Sequence, residues 1–250
     1  MKYFAKIRYL GTDFCGFQVQ PDCRTVQGEL NIAAEKLFGL PCQITGCSRT
    51  DSGVHANEFC ITIEPVGEKA PLIPPESLPR AFSTVLPWDI SLYEAKEISS
   101  EFHPRYDAKG KEYVYKIYSA QVTNPFVTKR AWQIQRKINE DALLRMRKAA
   151  ECFIGKHDFS AFMSVNSDVE STVRTVFDLR VEKNMDEIEI FVSADGFLYN
   201  MVRIIVGTLV QVAFGNISSD DMPSIIDSGN RERAGMTAPP EGLYLNRVFY

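Results

Sequence analysis

Hydrophobic and polar residues alternate at the start of the chain and then change period, which predicts a strand followed by a helix. Residues 3–9 place apolar side chains at every second position, as a half-buried strand does. Residues 25–39 carry an apolar stripe at helical spacing, with Thr25 placed to cap the helix and Gly39 to end it. Farther along the first half, the same two patterns predict a strand, a short proline-bounded helix and another strand: residues 57–65, 74–87 and 90–99.

The second half repeats this mixture of strands and helices. The predicted elements are strand 111–120, helix 139–155, strands 174–183 and 187–194, a long buried helix 197–214, a short helix 219–228 and strand 243–250. The pattern is typical of an α+β fold with two similar halves, which we divide into domains 1–104 and 105–250. No low-complexity linker separates the halves, so we expect them to share an interface, where active-site clefts often form.

Composition and charge set loose limits on the function. Hydrophobic residues make up 45% of the 250 residues, enough for a full core, and the net charge is −4. The charge is uneven, because residues 101–150 hold eleven lysines and arginines against five acidic residues, whereas residues 151–200 hold four against ten. One basic face is compatible with a nucleic-acid partner, although such charges more often belong to solvated faces of unrelated elements.

The cysteines, histidines and apolar runs exclude several classes of protein. The six cysteines contain no C-x-x-C pair and the chain has three histidines, so we expect reduced thiols and no metal site. No apolar run approaches the roughly eighteen residues that span a membrane. The N-terminal segment lacks the apolar stretch of a signal peptide, so we expect a cytoplasmic protein.

The stretch GCSRTDSGVHA, residues 46–56, is the main candidate for chemistry. The simplest interpretation is a polar turn, because Asp-Ser-Gly commonly forms one, with His55 packed beside it. The letters D-S-G also match the catalytic loop of aspartic proteases. Arg49 and Thr50 stand where that loop has hydrophobic residues, however, and the α+β pattern does not suit an all-β protease.

A third interpretation comes from resemblance. Eight positions of this stretch match, in order, the G-x-x-R-T-D-x-G-V-H-A signature of the tRNA pseudouridine synthase A family. Other segments resemble motifs of the same family and follow in the same order along the chain: VQGELNIA, FHPRYDAKGKEYVYKI, GKHDFSAF, VRTV, GFLYNMVRIIVGTL and TAPPEGLYL. The departures are small, since Ser52 and Pro104 stand where alanine is usual and neither removes a functional group.

The resemblance implies roles for particular residues. Forming pseudouridine breaks the bond from ribose C1′ to uracil N1 and joins C5 to C1′, which requires a carboxylate at the sugar and no cofactor. The family's essential aspartate corresponds to Asp51, which acts either as nucleophile at C1′ or as base at C2′. Arg203 corresponds to the arginine paired with it, Arg49 to an RNA contact that helps to extract the uridine, and Tyr113 to the active-site tyrosine.

Each of these assignments has a structural alternative. Arg203 suits an ion pair with another acid, Arg49 a plain salt bridge, and Tyr113 ordinary strand packing. Leu245, or Leu243, is a candidate for an apolar wall of the pocket, although strand packing explains it nearly as well. The RNA track is expected along the basic residues of the middle of the chain: Arg105, Lys109, Lys111, Lys129, Arg130 and Lys137.

The resemblance also implies a substrate and an assembly. The family modifies uridines 38, 39 and 40 of the tRNA anticodon stem-loop, acts as a homodimer, and joins two antiparallel, helix-backed sheets into one with the active site in a central cleft. No membrane or metal partner is expected. The alternative from another class is a non-catalytic RNA-binding module with the same fold.

Overall fold

A computed structural model describes residues 2–67, 73–164 and 169–250. Its five helices in these ranges are α1 Val26–Phe38, α2 Leu78–Ser83, α3 Glu140–Glu151, α4 Met201–Ala213 and α5 Met222–Asp227. Its ten strands are β1 Lys2–Tyr9, β2 Cys42–Gly46, β3 His55–Pro65, β4 Ile90–Ile98, β5 Gly110–Ser119, β6 Trp132–Ile134, β7 Gly155–Asp158, β8 Val173–Asn184, β9 Glu187–Ala194 and β10 Leu243–Phe249. The mixed α+β class predicted from the sequence is therefore confirmed.

The chain divides into two compact units. The first contains Met1–Lys109 together with Tyr244–Tyr250, and the second contains Gly110–Leu243. The last seven residues of the sequence thus belong to the unit that the first 109 residues form.

The first unit is built on β3. Along one edge β3 pairs antiparallel with β1, which in turn pairs antiparallel with β4. Along its other edge, β3 changes partner: residues 61–65 pair antiparallel with β2, and residues 55–56 pair in parallel with β10. Helix α1 packs near β2 and α2 near β4, and the side chains of Phe59, Ile61 and Ile63 are fully buried.

The second unit has its own antiparallel ladder, in the order β5, β9, β8, β7, and β6 pairs in parallel with β5. Helix α3 packs against β8 and α4. Helix α4 is buried almost all round, with Arg203 and Gln211 its only partly exposed residues. This agrees with the predicted buried helix.

Most of the predicted elements are present, and the local capping signals explain why. The Thr25 side chain accepts a hydrogen bond from Gly28 N, and Gly39 adopts a left-handed conformation with φ of 70° at the end of α1. At the start of α3, the Asn139 side chain accepts a hydrogen bond from Ala142 N. The sequence therefore identifies both ends of α1 and the start of α3.

Several predicted helix boundaries are wrong. Helix α2 occupies Leu78–Ser83 of the predicted 74–87, and α5 occupies Met222–Asp227 of the predicted 219–228. Helix α4 begins at Met201 rather than at 197, because Asn200 is left-handed with φ of 62° and interrupts the helical backbone. Helix α3 ends at Glu151 rather than near 155, and Gly155, with φ of 113°, instead opens β7. The short strands β2, β6 and β7 were not predicted, because none carries an alternating pattern long enough to recognise.

Candidate active site

Asp51 lies in the loop that links β2 to β3. The interpretation of Asp-Ser-Gly as a turn is confirmed: Val54 N donates to Asp51 O at 3.2 Å, and Gly53 has a φ of 78° that favours glycine. The Asp51 side chain is half-buried. A turn of this kind fixes the backbone of an acidic residue and leaves part of its carboxylate accessible.

A second loop, residues 10–25 between β1 and α1, braces the Asp51 turn. The carbonyl oxygen of Phe14 accepts hydrogen bonds from Ser52 Oγ at 3.1 Å and from Gly53 N at 3.4 Å. Phe17 N donates to Thr50 O at 3.1 Å. The residues on both sides of Asp51 are thus bonded to one neighbouring loop.

The backbone of loop 10–25 packs closely against the backbone of the Asp51 turn. Gly16 has a φ of 91°, and a Cβ atom there would lie 2.6 Å from Thr50 O. The buried Thr50 hydroxyl is bonded to the Tyr9 hydroxyl at 2.8 Å. The loop therefore contacts the backbone next to Asp51 at a position where no side chain fits.

The brace is anchored at its far end by Arg24. The guanidinium donates to both oxygens of the buried Asp89, at 2.7 and 3.1 Å, and to Glu29 at 2.7 Å. It also lies 4.2 Å from the centroid of the Phe14 ring. These acceptors, Asp89 above all, raise the pKa of Arg24 and so stabilise the guanidinium charge that lies over the Phe14 ring.

His55 is a structural residue of the same site. Its side chain is fully buried, its Nδ1 accepts a hydrogen bond from Gly11 N at 2.9 Å, and its ring stacks on Tyr244 with centroids 4.5 Å apart. Since Nδ1 accepts, the proton of the neutral ring lies on Nε2. His55 thus ties the beginning of the brace to the beginning of β3.

Arg49 is exposed, and in the described part of the chain its side chain forms no hydrogen bond or ion pair with another residue. It lines a groove in the first unit together with Arg105. Of the six basic residues predicted to form an RNA track, Arg105 and Lys109 lie in the first unit and Lys111, Lys129, Arg130 and Lys137 in the second. Lys137 is paired with Asp186 at 3.7 Å.

Two tyrosines of β5 have different surroundings. Tyr115 is fully buried, and its hydroxyl donates to Pro239 O at 2.7 Å, so burial raises its pKa and its role is structural. Tyr113 is 7% exposed, stands opposite Val192 on β9, and meets the Phe197 ring edge-on at 5.0 Å. The alternating sequence pattern gives Tyr113 and Tyr115 equivalent positions on β5, whereas the structure places them in different surroundings.

Arg203 lies in the first turn of α4 and is half-buried. Its Nε donates to Ala238 O at 2.7 Å and its Nη1 to Asn200 Oδ1 at 2.7 Å, while its own carbonyl oxygen accepts from Ala238 N at 3.0 Å. These bonds set the direction of the guanidinium plane. The left-handed Asn200, which directly precedes the first residue of α4, is also the residue whose side-chain amide oxygen accepts from Arg203.

Leu245 is fully buried on β10 and stands opposite Ala56 of β3, while Leu243 is 7% exposed. This packing is what a strand requires, and the role of Leu245 as a pocket wall stays a prediction.

Sequence reasoning missed four residues around the Asp51 loop. In the sequence, nothing distinguishes Gly11 and Gly16 from other loop glycines. His103 and Tyr106, which line the same groove as Arg49, are recognisable only as part of a family motif. It also missed a second Asp-Ser-Gly, residues 227–229. There Asp227 is the last residue of α5, a helical position unlike the loop of a protease.

Other classes of site are not found in the described ranges. No group of three histidine, cysteine, aspartate or glutamate side chains is arranged to hold a metal ion, and the six cysteines are free thiols. No helix in these ranges combines the length and the apolar character needed to cross a membrane.

Comparison with known proteins agrees with the motifs. A sequence model of the family described as tRNA pseudouridine synthase matches residues 149–250. A tRNA pseudouridine synthase A of Clostridium botulinum (strain Eklund 17B / Type B) is 45% identical over 244 residues, covering 98% of this chain and 97% of that protein. Proteins of the same name from Thermoanaerobacter sp. (strain X514) and Acetivibrio thermocellus are 45% and 41% identical, each with 98% of this chain and 97% of the relative covered. With such identity over nearly its whole length, the chain belongs to the tRNA pseudouridine synthase A family.

Proposed function

We propose that this protein isomerises uridine to pseudouridine in the anticodon stem-loop of tRNA, at positions 38, 39 and 40. The observation that carries the proposal is the 45% identity with a tRNA pseudouridine synthase A over 98% of the chain. The braced, half-buried Asp51 supports it, since a reaction at a ribose needs a carboxylate held in one place. A module that only binds RNA has no need for such a residue.

The reaction moves one glycosidic bond within the same nucleotide. Asp51 acts at the ribose, either by attacking C1′ or by removing the proton from C2′, and the uracil leaves through N1. The free base turns and C5 bonds to C1′, as the Asp51 carboxylate either leaves C1′ or returns the proton to C2′. The C5 hydrogen is then lost as a proton and N1 gains one. No electrons or groups are exchanged with a second substrate, so the residues of the chain suffice.

Substrate binding is assigned to four further residues. The uridine must leave the base stack before its sugar is accessible, and Arg49 assists that extrusion. Tyr113 stacks on the extruded base, and Leu245 forms an apolar wall beside it. The guanidinium of Arg203 keeps Asp51 ionised and oriented.

Tritium release tests the activity directly. Anticodon stem-loop RNA labelled with [5-³H]uridine should release tritium to water in the presence of the protein, because isomerisation replaces the C5 hydrogen. A matched RNA with cytidine at positions 38, 39 and 40 should release none. Binding of the labelled RNA without any release would instead support the non-catalytic RNA-binding module.

The Arg203 assignment predicts a shift in pH dependence. We expect Arg203→Gln to slow tritium release about 10- to 100-fold, because a charge-assisted hydrogen bond to the carboxylate is lost. Without the cation the pKa of a carboxylate rises, so the acid limb of the kcat/KM profile should move to higher pH. Arg231→Gln is the matched control. Arg231 is also half-buried, and it donates to Gly235 O and Thr237 Oγ1, in the segment just before Ala238, which binds Arg203. Equal effects from both variants on the pH profile would reduce Arg203 to a structural role.

The proposal also covers architecture and assembly. Each unit contains an antiparallel ladder accompanied by helices, which supports the division into two similar halves. We assign the protein to the cytoplasm. We also propose that it is a homodimer, because a single chain of charge −4 offers little attraction for tRNA. Light scattering should give twice the 28.3 kDa chain mass, and a monomer at assay concentration would contradict the dimer.

A further inference from the structure

The first unit contains an open groove of about 370 Å³ that begins beside the Asp51 loop. Three stretches that are distant in sequence form it: the loop after β1 with the first turn of α1, strand β2 with the residues that follow it, and the turn 103–107. Six of the lining residues matter here: Gln18, Gln43, Arg49, His103, Arg105 and Tyr106. No aspartate or glutamate lines the groove.

The charge of this groove is opposite to that of the chain. Arg49 and Arg105 are both exposed, and neither forms an ion pair within the described ranges. Their two charges therefore face a space that contains no acid, in a protein whose net charge is −4. Two guanidinium groups in one groove are suited to phosphate, which they bind through paired hydrogen bonds.

Tyr106 and His103 form an exposed aromatic surface in the same groove. The Tyr106 side chain is 76% exposed, and the centroids of the two rings are 4.3 Å apart with an interplanar angle of 32°. The guanidinium of Arg105 lies 5.9 Å from the Tyr106 ring. Flat groups of this kind, next to cations, are what unpaired nucleic-acid bases stack on.

The turn that carries these rings is rigid before any ligand binds. His103 Nδ1 accepts hydrogen bonds from the backbone nitrogens of Arg105 and Tyr106 at 3.1 and 3.3 Å. Asp107 closes the turn, because its Oδ2 accepts from His103 N at 2.8 Å and its own N donates to His103 O at 3.0 Å. A pre-organised surface loses little conformational entropy on binding.

The position of the groove relates it to the reacting residue. Arg49 and Asp51 are two residues apart, so their Cα atoms lie no more than about 7 Å from each other. That span is about two nucleotides along one strand of a helix. Gln18 and Gln43 add exposed amide groups that can donate to and accept from base edges.

From this arrangement we infer that the groove is a binding subsite for one nucleotide of the RNA strand next to the isomerised uridine. The base stacks on Tyr106 and His103, and the flanking phosphates bind Arg49 and Arg105. The inference rests on the proposed function and deepens it, since it assigns His103, Arg105 and Tyr106 to substrate binding.

Tyr106→Ala tests the stacking surface in the full-length protein. In single-turnover tritium release with excess protein, we expect the protein concentration for half-maximal rate to rise about 5- to 100-fold, with little change in the maximal rate. Tyr106→Phe keeps the ring and should behave as the wild type. Trp88→Ala, which removes another exposed aromatic side chain outside the groove, should have no effect.

Arg105→Ala tests the phosphate contact through salt dependence. We expect the slope of log K for RNA binding against log salt to fall by about 0.7 to 1. Arg80→Ala, which removes the same charge from the exposed face of α2, should leave the slope unchanged. Equal slopes for Arg105→Ala and the wild type would exclude the phosphate contact.

Abasic RNA identifies the nucleotide and separates the two proposals. Among stem-loops with one abasic residue within five positions of the target uridine, one should weaken wild-type binding as much as Tyr106→Ala does, and the combination should add nothing further. If no abasic position couples to Tyr106 while the wild type releases tritium, the subsite is wrong and the proposed function stands. If the wild type releases no tritium, the proposed function is wrong. The binding of intact and abasic RNA by the wild type and by Tyr106→Ala still shows whether the groove binds a base. Uridine monophosphate that binds as tightly as the stem-loop would contradict the assignment to an RNA strand.

Discussion

Asp51→Asn should lower tritium release from [5-³H]uridine-labelled stem-loop RNA by about 10²- to 10⁴-fold or more, while the affinity for the RNA stays similar. The amide has nearly the shape of the carboxylate, but it can neither attack C1′ nor accept the C2′ proton. The hydrogen bonds from Ser52 Oγ, Gly53 N and Phe17 N that hold the loop remain in the variant, so we expect it to fold. Single-turnover assays with excess protein measure the rate, and filter binding measures the affinity.

Asp13→Asn provides the matched control for this experiment. Asp13 is an exposed aspartate of the bracing loop, and the substitution removes the same charge while Asp51 is kept. It should retain the wild-type rate within about threefold, as exposed substitutions usually do. An Asp51→Asn protein that isomerises uridine as fast as the wild type would remove Asp51 from the mechanism altogether.

Gly11→Ala should lower the free energy of unfolding by about 2–5 kcal/mol and sharply reduce activity. A Cβ atom at residue 11 would lie 1.9 Å from Val54 O and 2.5 Å from Val54 C, which are backbone atoms and cannot rotate away. The displacement would also break the bond from Gly11 N to the buried His55 Nδ1. Thermal and urea unfolding give the stability, and tritium release per folded molecule gives the activity.

Gly39→Ala separates this clash from the general cost of replacing a glycine. Gly39 has a φ of 70°, and nothing lies within 4 Å of the Cβ that alanine would add. Its cost is therefore the left-handed conformation alone, about 1–2 kcal/mol, and the activity of the folded protein should be unchanged. If Gly11→Ala and Gly39→Ala prove equally stable and equally active, the close packing of Gly11 against the Asp51 loop contributes to neither stability nor activity.

The sequence predicts those features whose causes are local. Thr25 and Gly39 mark the ends of α1 because a cap needs only the residues next to it, and the alternation in residues 3–9 identifies β1 because one face of that strand is buried. The start of α4 was placed too early because the left-handed conformation of Asn200 leaves no trace in the apolar pattern. The family motifs then supply Asp51 and Arg203, which no periodicity selects.

The remaining features depend on contacts between distant parts of the chain. Gly11 and Gly16 are required because Val54 O and Thr50 O, 43 and 34 positions away respectively, lie where their side chains would be. Tyr113 and Tyr115 occupy equivalent positions in the alternating pattern, and long-range contacts distinguish them: Tyr115 bonds to Pro239 O, whereas Tyr113 meets the Phe197 ring. Likewise, the turn at His103 meets Arg49 only once the first unit has folded.

The return of the C-terminus to the first unit has a consequence for biosynthesis. Tyr244 stacks on His55, and Leu245 pairs with Ala56 directly after the Asp51 loop. Translation delivers these residues after all of the second unit, so a nascent chain that stops before residue 244 lacks the contacts of Tyr244 with His55 and of Leu245 with Ala56. The first unit therefore completes its fold only after the second unit has been synthesised, however early its first 109 residues collapse.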